Sequence, residues 1–200
     1  ATIPQMLCYG NPKTADALMA AYRLWFSKDS KDAEMRKQVW GGWNGPSRYS
    51  LAFCPPDHEV NCHCAYCRNI PVHKERGYWN EQGEVVGRFC QVISHRVAKE
   101  YPGMRIYFLP YYNYVQPPDE GEFADNARFR VCFMHGLPAA ANPEVEKQDV
   151  EWAKGWVKAG HGRKISGYLY RWPGSHGHIV VPFQYFRPAK RFFSNMREYS

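Results

Sequence analysis

Three cysteines stand one and two residues apart as Cys62-x-Cys64-x-x-Cys67, with His63 between them and His73 shortly after. Thiolates so spaced can converge on one tetrahedral ion, zinc taking four ligands with Zn–S bonds of about 2.3 Å. Cys8, His63 and His73 are the candidates for the fourth position. The same cysteines are also open to disulfide pairing in an exported protein, or to a third state as buried free thiols. In the metal and disulfide readings the role is structural, pinning a long loop. The remaining cysteines, Cys54, Cys90 and Cys132, fall in apolar runs and are expected in the core.

A second chemistry is written in carboxylates and aromatic rings. Asp57 follows a short apolar run, and Glu59 stands two residues on. Hydrolysis of a glycosidic bond needs one carboxyl group to protonate the leaving oxygen and another as base or nucleophile. Asp57 and Glu59 are the catalytic candidates, and the bland alternative for Asp57 is a turn cap. No second carboxylate is evident elsewhere, because Asp119, Glu120 and Glu122 follow Pro117-Pro118 and read as a solvated loop. Tyr111, Tyr112, Tyr114 and Trp172, with Trp79, would offer flat platforms to the C–H faces of a sugar, and Asn113 and Arg171 would supply donors. Arg171 could also grip a carboxylate bidentately. His135, at the end of an apolar run, is a further substrate-contact candidate, whereas His176 and His178 lack a third ligand and read as solvated.

These residues need elements to hold them. Asn11-Pro12 caps a helix over residues 13–26, and apolar runs at 49–54, 104–109, 129–134 and 165–170 have strand length. Helical periodicity covers 84–101 and 144–158, and a last helix runs from 183 to 196 with Pro188 as a kink or boundary. Residues 57–81 form a loop of a length that is usually functional. Strands alternating with helices predict an α/β protein with a parallel sheet. Four such units are half of an eight-stranded barrel, which needs about 250 residues, so the chain reads as the C-terminal half of a TIM-type (β/α)8 barrel. An open half would expose two sheet edges and an apolar inner face, predicting a homodimer or dependence on the missing N-terminal half.

The chain has 200 residues, 44% hydrophobic and 16% aromatic, enough for one domain with a real core. No apolar run is long enough for a membrane span. The start at Ala1 carries no targeting pattern and points to a removed upstream segment. The net charge of +7 is scattered. Its densest group, Arg187, Lys190, Arg191 and Arg197 among Phe186, Phe192 and Phe193, reads as a half-buried helix face, so no nucleic-acid partner is expected.

The order of segments resembles the C-terminal barrel part of an uncharacterised-domain family of large bacterial glycoside-hydrolase-like proteins, often joined to an α-glucuronidase-like N-terminal domain. The resemblance rests on Gln5-x-x-Cys8-x-x-Asn11-Pro12, then Asp57-x4-Cys62-x-Cys64-x-x-Cys67, and Arg88-Phe89 leading to Lys99-Glu100-Tyr101-Pro102. Tyr114-x-x-Pro117-Pro118, Pro182-Phe183-x-x-Phe186 and Arg191-Phe192-Phe193 complete it. Pro56 and Gln91 depart from the family pattern, which has a small polar residue and Asn there. The resemblance implies a secreted or periplasmic carbohydrate-active protein, a glycoside hydrolase acting on a poly- or oligosaccharide. No cofactor is required for catalysis, and a structural zinc is the metal that Cys8, Cys62, Cys64 and Cys67 would hold. The competing expectation is a non-catalytic carbohydrate-binding domain with the same aromatic cleft. A zinc-containing nucleic-acid binder is a more distant one.

Overall fold

The computed structural model of the chain describes residues 7–40, 46–55, 59–133, 142–169 and 186–200. Its centre is a sheet of four strands, β1 (Ser50–Phe53), β2 (Arg105–Phe108), β3 (Ala127–Phe133) and β4 (Ser166–Leu169). All neighbours pair in parallel and in chain order, β1-β2-β3-β4. Leu51 pairs with Ile106 and Phe53 with Phe108, while Ile106 meets Ala127 and Phe108 meets Phe129. These buried side chains share one face by the two-residue alternation of a strand.

The helices are α1 (Pro12–Phe26), α2 (Ala33–Trp40), α3 (Gly83–Glu100), α4 (Pro143–Ala159) and α5 (Phe186–Met196). Asn11 caps α1 by accepting from Lys13 N–H, and Asn142 caps α4 by accepting from Glu144 N–H, each ahead of a proline at the first helical position. The buried stripe of α3, with Phe89, Ile93 and Val97, and that of α4, with Trp152 and Trp156, belong to the same core as the strand residues. Phe53 and Phe89 rings lie 5.2 Å apart, and Phe129 and Trp156 rings 4.6 Å apart. Helix α1 covers the β1 edge, where the buried Tyr22 hydroxyl donates to Ala52 C=O at 3.1 Å. The sequential parallel order is compatible with part of a barrel.

Several expectations change. Helix α2, with Met35 and Val39 exposed, shows no apolar stripe in the sequence and packs mainly through Trp40, which stacks on Tyr22. Pro188 lies in the first turn of α5, where its missing N–H costs no intrahelical bond, so of the two expectations it marks the helix boundary and not a kink. Residues 134, 170 and 183–185, the expected ends of two strands and start of a helix, lie outside the described residues. On the sheet face opposite Leu51, Ile106 and Phe129, Arg130, Ala52, Ser166 and Tyr168 are exposed, Tyr107 is half-buried and Cys132 is buried. In α5 Phe192 is buried but Phe193 is 57% exposed. Cys90 and Cys132 are buried as expected, whereas Cys54 is exposed.

Candidate metal centre and strand-end rim

Cys8 leads into α1, while Cys62, Cys64 and Cys67 lie on the loop after β1. Their sulfur atoms all fall within 4.8 Å of one another. Cys8 Sγ stands 3.2 Å from Cys64 Sγ and 3.6 Å from Cys67 Sγ. A tetrahedral ion with metal–sulfur bonds of about 2.3 Å demands sulfur–sulfur edges of about 3.8 Å, close to this arrangement. No disulfide joins them. The fourth sulfur of the group is that of Cys8. His63 is exposed, and His73 belongs to another cluster.

Local folding aims the sulfurs. The turn from Cys64 to Cys67 closes with Arg68 N–H donating to Cys64 C=O at 3.0 Å. The N–H groups of Cys67 and Tyr66 then face Cys64 Sγ and, with the Cys8 thiol, pull the Cys64 thiol down to about 6. Cys67 is pushed the other way, by burial first and by the Cys8 thiol next, although Gly10 N–H faces its sulfur. Burial also raises Cys8. Four thiols this close cannot all ionise by themselves, because each new thiolate opposes the next; a cation at the centre removes that opposition. Gly10 is required by contact, since a Cβ there would lie 2.9 Å from Cys67 Sγ. The cluster can hold a metal ion.

The second region is the rim at the C-terminal ends of β1 and β2. Glu59 accepts from the Tyr78 hydroxyl at 2.7 Å. Burial and this bond raise the Tyr78 phenol, and Tyr112 and Glu81 lie close enough to add to the shift. Tyr112 is half-buried, packs edge-on against Tyr111 at 4.6 Å, and has φ of 46°, a left-handed backbone that is costly for a non-glycine residue. Trp79 is half-buried between Tyr78 and Trp152, 5.0 Å and 6.5 Å away by ring centre.

The other expected sugar contacts are differently used. Asn113 is 2% exposed, and its amide both donates to Val60 C=O at 2.8 Å and accepts from Val60 N–H at 3.0 Å. It ties two loops together and offers a sugar nothing. Tyr111 and Tyr114 are buried, so Tyr112 is the tyrosine of this run that reaches the rim. Pro117 and Pro118 are half-buried wedges rather than a solvated loop: a Cβ on Gly155 of α4 would lie 2.8 Å from Pro117, and one on Gly87 of α3 would lie 2.6 Å from Pro118. Asp57, His135, Arg171, Trp172, His176 and His178 lie outside the described residues.

Compared with family models, with curated proteins and with solved structures, the chain finds no match. Among the described residues no helix is long and apolar enough to cross a membrane.

Tyr78 and Glu84 have placements that the sequence does not flag. Tyr78 looks like one more loop aromatic, and a glutamate in the first turn of a helix is ordinary. Glu84 is nonetheless 3% exposed.

Proposed function

We propose that this chain is part of a carbohydrate-active protein of glycoside-hydrolase type, built as four units of a (β/α)8 barrel whose strand-end loops meet the glycan. The reading rests on one observation above all: the Glu59–Tyr78 hydrogen bond, with Tyr112 close by, at the C-terminal ends of two adjacent parallel strands. Loops at that end of a parallel barrel are where such folds carry their chemistry. A carboxylate beside the exposed Tyr78 and half-buried Tyr112 phenols suits a sugar's hydroxyls and C–H surfaces, and Asp57 is the acid that would share the work. The sequential parallel order of the sheet and the resemblance of the motifs support the barrel assignment. The site of action is the secreted or periplasmic space.

The Cys8, Cys62, Cys64 and Cys67 cluster is, in this reading, a structural zinc site that fixes the loop carrying Glu59 and Tyr78. Four protein thiolates leave no open position for substrate, so the ion shapes the loop and takes no part in turnover. Zinc content by elemental analysis is expected at one ion per chain.

The test is a screen of oligosaccharides for binding and for released sugar. Asp57→Asn is expected to abolish release while binding persists, and Glu59→Gln to weaken both. Binding without turnover by the native chain turns the reading into that of a carbohydrate-binding domain, and absence of both sinks it.

A further inference from the structure

We propose that His73, Glu84 and Asp119 form a second metal site, one that takes a hard or borderline divalent cation. It is distinct from the four-cysteine cluster and from the rim, and it does not depend on the carbohydrate reading. The three residues come from the end of the long loop, the first turn of α3 and the loop after β2. One ligand atom of each lies within 4.8 Å of the others. His73 Nε2 is 3.4 Å from Asp119 Oδ2 and 3.8 Å from Glu84 Oε1.

Those separations are too long for good N–H···O bonds, which fall at about 2.7–3.2 Å. They lie within about half an ångström of the ligand–ligand edges around an ion with bonds near 2.1 Å. The orientation of the imidazole points the same way. His73 Nδ1 is 2.9 Å from Glu75 Oε1, so that in the Nδ1–H tautomer the Nε2 lone pair would face the two carboxylates. A cation placed between them would share Asp119 Oδ2 with Arg76 and Glu84 Oε1 with Asp119 N–H. A carboxylate on the far nitrogen of a histidine is the usual outer partner of a metal-bound imidazole.

The other two ligands are held as well. Asp119 accepts from Arg76, and Glu84 accepts from Asp119 N–H and, at 3.3 Å, from Arg88 Nε. The linked network sets four carboxylates (Glu75, Glu84, Asp119, Glu120) against two guanidinium groups (Arg76, Arg88), a surplus of two negative charges matching a divalent ion. Burial of Glu84 raises the cost of leaving that surplus unmet. A cleft of about 710 Å³ lined by Arg76, Asp119 and Gln116 adjoins the site and leaves room for water to complete the coordination.

Mn2+ is the probe, because one imidazole and two carboxylates suit it while thiolates do not. The zinc-loaded chain is titrated with Mn2+ and the free ion counted by electron paramagnetic resonance, with circular dichroism confirming that each variant is folded. One saturable Mn2+ per chain is expected. His73→Gln and Asp119→Asn should each weaken binding more than tenfold. Glu75→Gln, which leaves all three ligands in place, should weaken it roughly 10- to 100-fold by freeing the imidazole. A folded native chain without saturable Mn2+ binding overturns the proposal, as does unchanged binding in both His73→Gln and Asp119→Asn.

Discussion

The side-chain amide of Asn113 forms a two-bond bridge to the backbone of Val60, joining the loop after β2 to the loop after β1. Both partners are buried, and Asn113 C=O also accepts from Gln82 N–H at 2.8 Å, just ahead of α3. One side chain thus sets the height of the rim on two neighbouring strands.

Asn113→Ala leaves the Val60 N–H and C=O buried without partners, at about 1–3 kcal/mol each when a buried group loses its bond. Urea unfolding should show a loss of roughly 2–6 kcal/mol. Asn113→Asp would set a buried carboxylate against the Val60 C=O and should cost at least as much as the alanine change.

Gly10→Ala should act on the metal rather than on the core. The added methyl meets Cys67 Sγ at 2.9 Å and Cys67 N at 3.1 Å, so the sulfur must move away from its three partners. A zinc competition titration should show at least tenfold weaker binding than the native chain. Equal affinity would mean that the turn at Gly10 yields freely.

Gly87→Ala in α3 would normally help a helix, by about 1 kcal/mol. Here the methyl drives into Pro118, with three ring atoms at 2.6–2.7 Å. The melting temperature should fall, by an amount corresponding to roughly 1–3 kcal/mol. Mn2+ binding should weaken with it, because Asp119 follows Pro118 directly.

Arg23 and Glu100 join α1 to α3 by two hydrogen bonds, at 2.6 and 2.7 Å. The guanidinium holds the Glu100 carboxyl below its ordinary value. The stabilisation is therefore present above the unfolded carboxyl's range near pH 4.3 and disappears as pH falls through the lower folded value. Arg23 is exposed and its pair with Glu100 is screened by solvent, so Arg23→Met should lower stability only slightly at pH 7. The native chain and the variant should converge in stability near pH 2.

Much of the scaffold was legible because local rules governed it. Asn11-Pro12 and Asn142-Pro143 announce helix starts through bonds made within two residues, and the strands' apolar runs are buried on one face. The cysteine triplet announced a clamp, although the choice of Cys8 over His63 or His73 depends on how α1 returns to the loop, which no local spacing encodes. The misreadings share one cause. Asn113 and Pro117-Pro118 looked solvent-facing because their partners, Val60, Gly155 and Gly87, are distant in the chain and carry no polar or bulky side chain. Glu84 escaped notice because its burial is created by the loop bearing Asp119. Cys54 sits at the end of an apolar strand, where the chain leaves the core.

The placement of Cys8 also bears on how the chain folds. Cys8 and Cys64 are 56 positions apart, and everything between them, including α1, α2 and β1, becomes a closed ring once an ion joins the sulfurs. Closing a ring of that size lowers the entropy of the unfolded chain by an amount equivalent to about 4 kcal/mol for a permanent cross-link. The first two helices, which contribute no strand and cover a sheet edge, are thereby enrolled in the same cooperative unit as the sheet. If an ion occupies the cluster, its removal is expected to speed amide exchange in α1 and α2 more than in the strands.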